Sequence, residues 1–389
     1  MPQTLSPREI LDALVGFPTV SRDSNLPLID WVEDYLHGHE IETHRYWHED
    51  RTKAALMAHV GPRIPGGIVL SGHSDVVPVD GQPWTTDPWV VTERDGRLYG
   101  RGTCDMKGFD ALAIWALVAG QQAGLARPLQ LALSFDEEVG CVGAPPMIAA
   151  MQGLLPKASA VIVGEPSMLQ AVTAHKGGAG FDTRVVGFEV HSSLLHIGVS
   201  AIMQGARLVD WANHRNAENR ARTPGDLAAV FDPPYTTCHV GQIEGGTAHN
   251  ITAKECRFSM DFRCVPGETL DDWRDRYLDE VHAVEADMQA VHPDTRIDVS
   301  QRFDVPALKP EHEGEAEALV RRLTGDNANH VVSYGTEAGQ FQRAGYSAVV
   351  CGPGDIAQAH QPDEFITAAQ FEAGHDFVTR LVAQMGRVA

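Results

Sequence analysis

The 389-residue sequence contains no run approaching the roughly 20 consecutive apolar residues that a membrane-spanning helix needs, so no such span is expected. Basic residues are scarce: 31 lysines and arginines face 52 aspartates and glutamates, a formal charge of -21. So acidic a chain repels phosphate backbones and anionic lipid, which argues against a nucleic-acid or membrane partner. The six cysteines (Cys104, Cys141, Cys238, Cys256, Cys264, Cys351) include no CxxC pair and no dense framework. Buried free thiols are therefore expected, not disulfides or thiolate metal sites. The opening MPQTLSPREI lacks the basic-then-apolar pattern of a secretory leader, and a cytoplasmic location is the expectation. No internal repeat or low-complexity linker interrupts the chain.

What is present reads as a globular α/β protein. At 43% hydrophobic and 21% charged the composition is ordinary, and the length suggests two domains. Ser6, Pro7 and Glu9 form a helix start, and Ile10, Leu11, Leu14 and Val15 then fall on one helical face. A second amphipathic helix is expected over 28–39. GIVLSGHSD (67–75), LQLALSFDEE (129–138) and ASAVIVGEP (158–166) each read as an apolar strand running into a polar end, with a helix over 108–124 between the first two. Such alternation predicts a mostly parallel sheet with helices on both faces. The pattern changes near Gly177: a strand (180–188), a long helix (199–222), two alternating strands (236–243, 252–264), a helix (270–288) and a strand (295–301). That βαββαβ order predicts an inserted ferredoxin-like domain at 179–302, splitting a catalytic domain into 1–178 and 303–389. In the second part HVVSYG (330–335) and SAVVCGPG (347–354) are expected strands and 368–385 a closing helix.

Ligands in open α/β sheets bind outside the carboxyl ends of the strands. Here those ends carry His73 and Asp75, Glu137 and Glu138, and Glu165, with Asp105 in the loop RGTCDMKG and His360 further on. Singly each has a bland reading: a strand-end pair, a solvated acidic loop, a helix cap, one histidine among 18. Their joint placement on one rim points to metal. Two histidines with three carboxylates fit two sites better than one. If Asp105 bridges, one ion takes His73 and Glu165 and the other takes Glu138 and His360. Nitrogen and oxygen donors without thiolate suit Zn²⁺, and also Co²⁺ or Mn²⁺. Cys104, beside Asp105, points the other way in extended chain and is read as packing. Asp75 lies on the same side as His73 and can accept its other imidazole N–H. Glu137 is free to act as general base on an activated water and then to protonate a leaving nitrogen. A non-catalytic binding protein would have no need of Glu137, and a two-metal phosphoesterase would want more cations than Arg101 and Lys107.

SGHSDVVPVD (71–80), GRGTCDMKG (100–108), DEEVG (136–140), GEPS (164–167) and AHQPDEF (359–365) resemble the signature blocks of the zinc aminoacylase and carboxypeptidase group of metallopeptidases, in its order and at its spacing. The resemblance implies the bridging aspartate, the two ligand pairs and the glutamate base, with a non-proline cis peptide after Asp105. For the inserted domain it implies a lid, homodimer formation, and a histidine, here His191, that reaches the partner's site to polarise the scissile carbonyl. The segment VHSSLLHIGVSAI departs from the family pattern at Leu195 and Ser200, where proline and asparagine are usual. Gly245, Gly246 and Asn250 in EGGTAHNIT, with Arg263 in DFRC, resemble residues that hold a substrate α-carboxylate, and Thr336 in YGTEAGQF a loop residue that touches substrate. YGTEAG with GPGDIAQAHQPDEF looks closest to the branch that deacetylates N²-acetyl-L-ornithine. The expected substrate is thus a small N-acyl amino acid and the expected cofactors two divalent ions, Zn²⁺ or Co²⁺. Succinyl-diaminopimelate and acetylcitrulline are the nearest rival substrates.

Overall fold

The structure, a computed structural model, describes residues 3–386. Met1, Pro2 and residues 387–389, the outer ends of the two expected catalytic segments, lie outside the described residues. The chain divides into two compact units: one comprises the chain up to Ala174, Leu308–His330 and the chain from Thr336, the other His175–Ala307 and Val331–Gly335.

The first unit is built on an eight-stranded sheet. In spatial order its strands are Glu42–Trp47, Ala54–Val60, Leu129–Ser134, Ile68–His73, Ala160–Pro166, Ala348–Gly352, Val172–His175 and His330–Val332. The central four are parallel to one another, as the alternating pattern predicts. Antiparallel strands flank them on both sides. Every residue of the Ile68–His73, Leu129–Ser134 and Ala160–Pro166 strands is buried, because helices cover both faces. Helix Lys107–Ala123 packs with Pro7–Val15 and Ala368–Met385 around one apolar cluster, whereas Ala144–Leu154 and Ala338–Arg343 pack together outside it. Helix Pro7–Val15 begins as the sequence predicts: Ser6 Oγ accepts from the Glu9 N–H, and Glu9 reaches back to the Ser6 N–H. The Glu42–Trp47 strand forms the outer edge, where Arg45 pairs with Asp30 (2.7 Å) and Glu33 (2.5 Å) of helix Leu26–Gly38. All six cysteines are free and buried. No helix among the described residues is long and apolar enough to cross a membrane.

The second unit holds a four-stranded antiparallel sheet in the order Thr237–Gly245, Glu255–Cys264, Gly177–Val186, Arg296–Val305. Helices Ala201–Ala221 and Leu270–Val291 pack on its apolar face, giving βαββαβ in chain order. Alternating burial along Glu255–Cys264 buries Cys256, Phe258, Met260, Phe262 and Cys264 under those helices, while the other sheet face stays open. The Arg296–Val305 strand stays paired with Gly177–Val186 as far as Val305 opposite Gly178, which carries this unit past residues 179 and 302.

A candidate dinuclear metal centre

Register decides what meets at the sheet rim. Ile68–His73 runs parallel to Leu129–Ser134 with His73 opposite Ser134, and parallel to Ala160–Pro166 with Ser71 opposite Val163. His73, the Asp136–Glu138 turn and Glu165 therefore emerge side by side. Asp105 enters from the loop before helix Lys107–Ala123, through a cis Asp105–Met106 peptide. His360 arrives from a late loop with a positive φ of 64°.

The two oxygens of Asp105 face different imidazoles: Oδ1 lies 3.2 Å from His73 Nε2, and Oδ2 3.2 Å from His360 Nε2. His73 Nε2 also stands 3.8 Å from Glu165 Oε1, and His360 Nε2 3.0 Å from Glu138 Oε2. These contacts pair the residues as the sequence suggests, while the ligand atoms of His73, Asp105 and Glu138 also lie within 4.8 Å of one another, so the five side chains form one continuous cluster. Ligand atoms of His73, Glu137 and Glu165 lie within 4.8 Å of one another, so Glu137 borders the cluster.

The electrostatics call for cations. Burial pushes Glu137 up to about 7 and Glu138 up to about 8, with repulsion from Asp105 adding to both, and it drives Glu165 well above the carboxylate range. Burial also opposes ionisation of Asp105, yet hydrogen bonds with His360 and His73 hold it below its ordinary value. Hydrogen bonds to Asp105 and Glu138 raise His360 to about 10. Glu138 Oε1 is buried without a hydrogen-bond partner, a donor atom that a divalent ion would satisfy. The donor set of imidazole and carboxylate fits divalent metal.

Asp75 departs from the expected geometry. His73 Nδ1 has its close contact with the backbone carbonyl of Asp75 (2.9 Å), while the carboxylate is 3.6 Å away. That carboxylate instead accepts from Ser21 Oγ (2.7 Å) and from the N–H groups of Glu137 (3.1 Å) and Glu138 (3.3 Å). A residue two positions on along a strand end presents its carbonyl before its side chain, and the nearby turn supplies better donors. Cys104 is buried against the Asp355 carbonyl, as packing predicts.

Two carboxyls with no assigned task in the sequence reading join the site. Glu364 pairs with fully buried Arg101 (2.5 Å) and accepts from the N–H groups of Cys104 (3.0 Å) and Asp105 (3.1 Å), fixing the Asp105 loop. Glu337, buried, accepts from the hydroxyls of Ser71 (3.3 Å) and Ser134. Both lie within motif blocks, TEAGQF and DEF, but a single loop glutamate carries no sequence signal of burial. Thr336 is fully buried, and its Oγ1 accepts from the Ala338 N–H at the start of helix Ala338–Arg343.

Within the second unit His191 is exposed, with Nδ1 2.8 Å from Ser193 Oγ, and it bridges to Ile251. Asn250 is exposed and its carbonyl accepts from the Ser192 N–H (2.8 Å). Arg263, 43% exposed, pairs with Asp261 at 3.1 Å. Gly245 ends its strand and Gly246 has a φ of 77°. Leu195 lies in the exposed turn Ser192–Ile197, and Ser200 precedes helix Ala201–Ala221 without a side-chain cap.

Comparisons with known proteins identify the family and its fold. The family model described as peptidase family M20/M25/M40 matches residues 69–384. Acetylornithine deacetylase of Myxococcus xanthus is 36% identical over 388 residues, covering 97% of this chain and 96% of the relative. That of Proteus mirabilis is 36% identical, with 96% and 95% covered. Among solved structures, an M20 family metallo-carboxypeptidase from Sulfolobus solfataricus superposes with a TM-score of 0.78 at 16% identity, covering 97% of this chain and 98% of that one. Human carnosine dipeptidase 1 gives 0.72 at 16% identity, with 98% and 97% covered, again a likeness of fold. With its profile matched over most of its length and its relatives aligned end to end, the chain belongs to peptidase family M20/M25/M40.

Proposed function

We propose that this metal-dependent amide hydrolase converts N²-acetyl-L-ornithine and water to L-ornithine and acetate, a step of arginine biosynthesis in the cytoplasm. The reaction class is carried by one observation: Asp105 stands between His73 and His360 with a raised-pKa carboxyl, Glu137, beside them. The substrate is supported by the names of the relatives that align over nearly the whole chain.

His73 and Glu165 would hold one divalent ion, Zn²⁺ or Co²⁺, and His360 and Glu138 the other, with Asp105 common to both. Bound there, the ions supply Lewis acidity toward the scissile carbonyl and toward water. Glu137 takes the proton of the attacking water and delivers it to the leaving α-nitrogen, a task suited to a buried carboxyl at the border of the ligand cluster. Asp75 holds the backbone of Glu137 and Glu138 in place. Thr336 sets the start of the helix beside Glu337. Arg263 and Asn250, with Gly245 and Gly246, receive the substrate carboxylate, and His191 donates to the developing oxyanion. His191 would serve the site of a second copy, the second unit acting as lid and dimer contact. Its exposed Leu194, Leu195, Ile197, Ile202 and Met203 supply an apolar surface suited to a second copy.

Phosphoester hydrolysis is disfavoured because Arg101 is committed to Glu364 and Lys107 Nζ to the Phe17 carbonyl (2.7 Å), both side chains fully buried. The test is acetate release from acetylornithine with added Zn²⁺ or Co²⁺, beside succinyl-diaminopimelate, acetylcitrulline and nitrophenyl phosphate. Acetylornithine is expected to be turned over fastest and the phosphate ester not at all. Equal or faster turnover of either rival amide rejects the substrate but keeps the reaction class.

A further inference from the structure

The turn that carries Glu137 has an unusual backbone. Asp136 and Cys141, which bracket it, have φ of 56° and 54°, a left-handed region that side chains other than glycine rarely adopt. A segment of this kind keeps its shape only where its surroundings hold it. Asp75 grips its middle. The start and end are gripped by a single turn of another element, the one that opens helix Ala338–Arg343.

Glu337, the residue before that helix, accepts from Ser134 Oγ just upstream of the turn and from Ser71 Oγ at 3.3 Å. Ser71 lies two residues before His73 on its strand, on the same side of the sheet. Gln340, three residues beyond Glu337, donates from Nε2 to the Cys141 carbonyl at the far end (3.1 Å). Glu337 is 1% exposed and Gln340 3%. Cys141 Sγ then donates to Glu137 Oε1 at 3.1 Å, which relays the grip to the base.

We propose that Glu337 and Gln340 are positioning residues, a two-point clamp on residues 134 and 141 that sets the reach and orientation of Glu137. The clamp rests on the reading of Glu137 as general base. Its hydrogen bonds to Ser71, Ser134 and Cys141 act on the turn that carries the base, so loosening it slows the chemical step more than it alters metal affinity or substrate binding. Misplacement of a reacting group by about 1 Å costs on the order of a hundredfold.

Four variants test it, each checked for a native unfolding transition: Glu337→Ala, Glu337→Gln, Gln340→Ala and Gln340→Met, the last retaining side-chain length without the donor. Expected are a fall in kcat of about 10- to 100-fold for Glu337→Ala and both Gln340 variants, KM within about twofold, and full metal content. Glu337→Gln, which keeps an acceptor oxygen for one serine hydroxyl and offers an N–H to the other, should recover to within about threefold of the parent. A second readout needs no turnover: alkylation of Cys141 by iodoacetamide, followed by peptide mass, should quicken at least tenfold in Gln340→Met. Loss of a metal ion, a rise in KM at constant kcat, or Glu337→Gln as damaged as Glu337→Ala overturns the clamp. Unchanged Cys141 alkylation overturns it too. Faster alkylation in a protein whose parent form hydrolyses no N-acyl amino acid upholds the clamp and sinks the base reading instead.

Discussion

The strand ends of the first unit and the corresponding residues of the second are built in opposite ways. His73, Asp75, Asp105 and Glu165 are each at most 5% exposed, and each engages other members of one cluster. His191 and Asn250 are exposed, and Arg263 pairs with Asp261 on its own strand face. The first group is an interior array whose geometry the fold fixes in advance, closed on its outer side by His360, which is 51% exposed; the second is a surface that a bound partner could still cover. Preorganised groups contribute mainly to the chemical step, adaptable ones to binding and closure.

The largest effect that sharpens this contrast is expected at Glu137. Replacing it by alanine should lower turnover about 10³- to 10⁴-fold and leave two metal ions per chain, measured by kinetics and elemental analysis. Loss of an ion would show that the base and a ligand had been exchanged in the assignment. Next is His191→Ala, which should cost about 10²-fold in kcat. If His191 acts across a dimer, mixing that variant with Glu137→Ala should restore activity that neither has alone. No recovery on mixing would break the picture of a surface residue completed by a second copy.

The smallest effect concerns protons. Burial raises Glu137 to about 7 and Glu138 to about 8, and Asp105 raises His360 to about 10. Each group in the folded, metal-free chain therefore holds a proton that the unfolded chain has already released. The folded state binds more protons, so its stability declines as pH rises: from about 4.5 to 8 for the glutamates and from about 6.5 to 10 for His360. The melting temperature of the metal-stripped protein should fall by a few degrees between roughly pH 6 and 9, and bound metal should flatten that slope. A rising curve would mean the cluster is more open to water than its burial indicates.

Much of this was legible in the residues. Apolar runs such as IVLSGH and VIVGEP can be buried only in a sheet covered on both faces, and their polar tails then share a rim by register alone. The βαββαβ order of the second unit followed from alternation in strands such as Glu255–Cys264. The Glu42–Val60 hairpin was not named, because ETHRYW is largely polar and AALMAHV has no alternation, so neither carries a period-2 signal. Glu337 and Glu364 escaped notice because a single glutamate in a loop is ordinarily solvated, and only tertiary packing reveals that these two are buried against serine hydroxyls and backbone N–H groups. The acceptor of the His73 Nδ1 contact turned on a distance of 2.9 Å against 3.6 Å, finer than strand periodicity resolves.

The charged outer strand of the large sheet has a bearing on handling. An unpaired strand edge is a template for adding foreign strands and a common seed of aggregation. In Glu42–Trp47 the residues Glu42 and His44 place polar side chains beside that margin, and Arg45 is anchored against the sheet by two acids of the adjacent helix. Strand addition from this side is thereby disfavoured, and neutralising Arg45 together with Glu42 is expected to raise light scattering in a concentrated preparation.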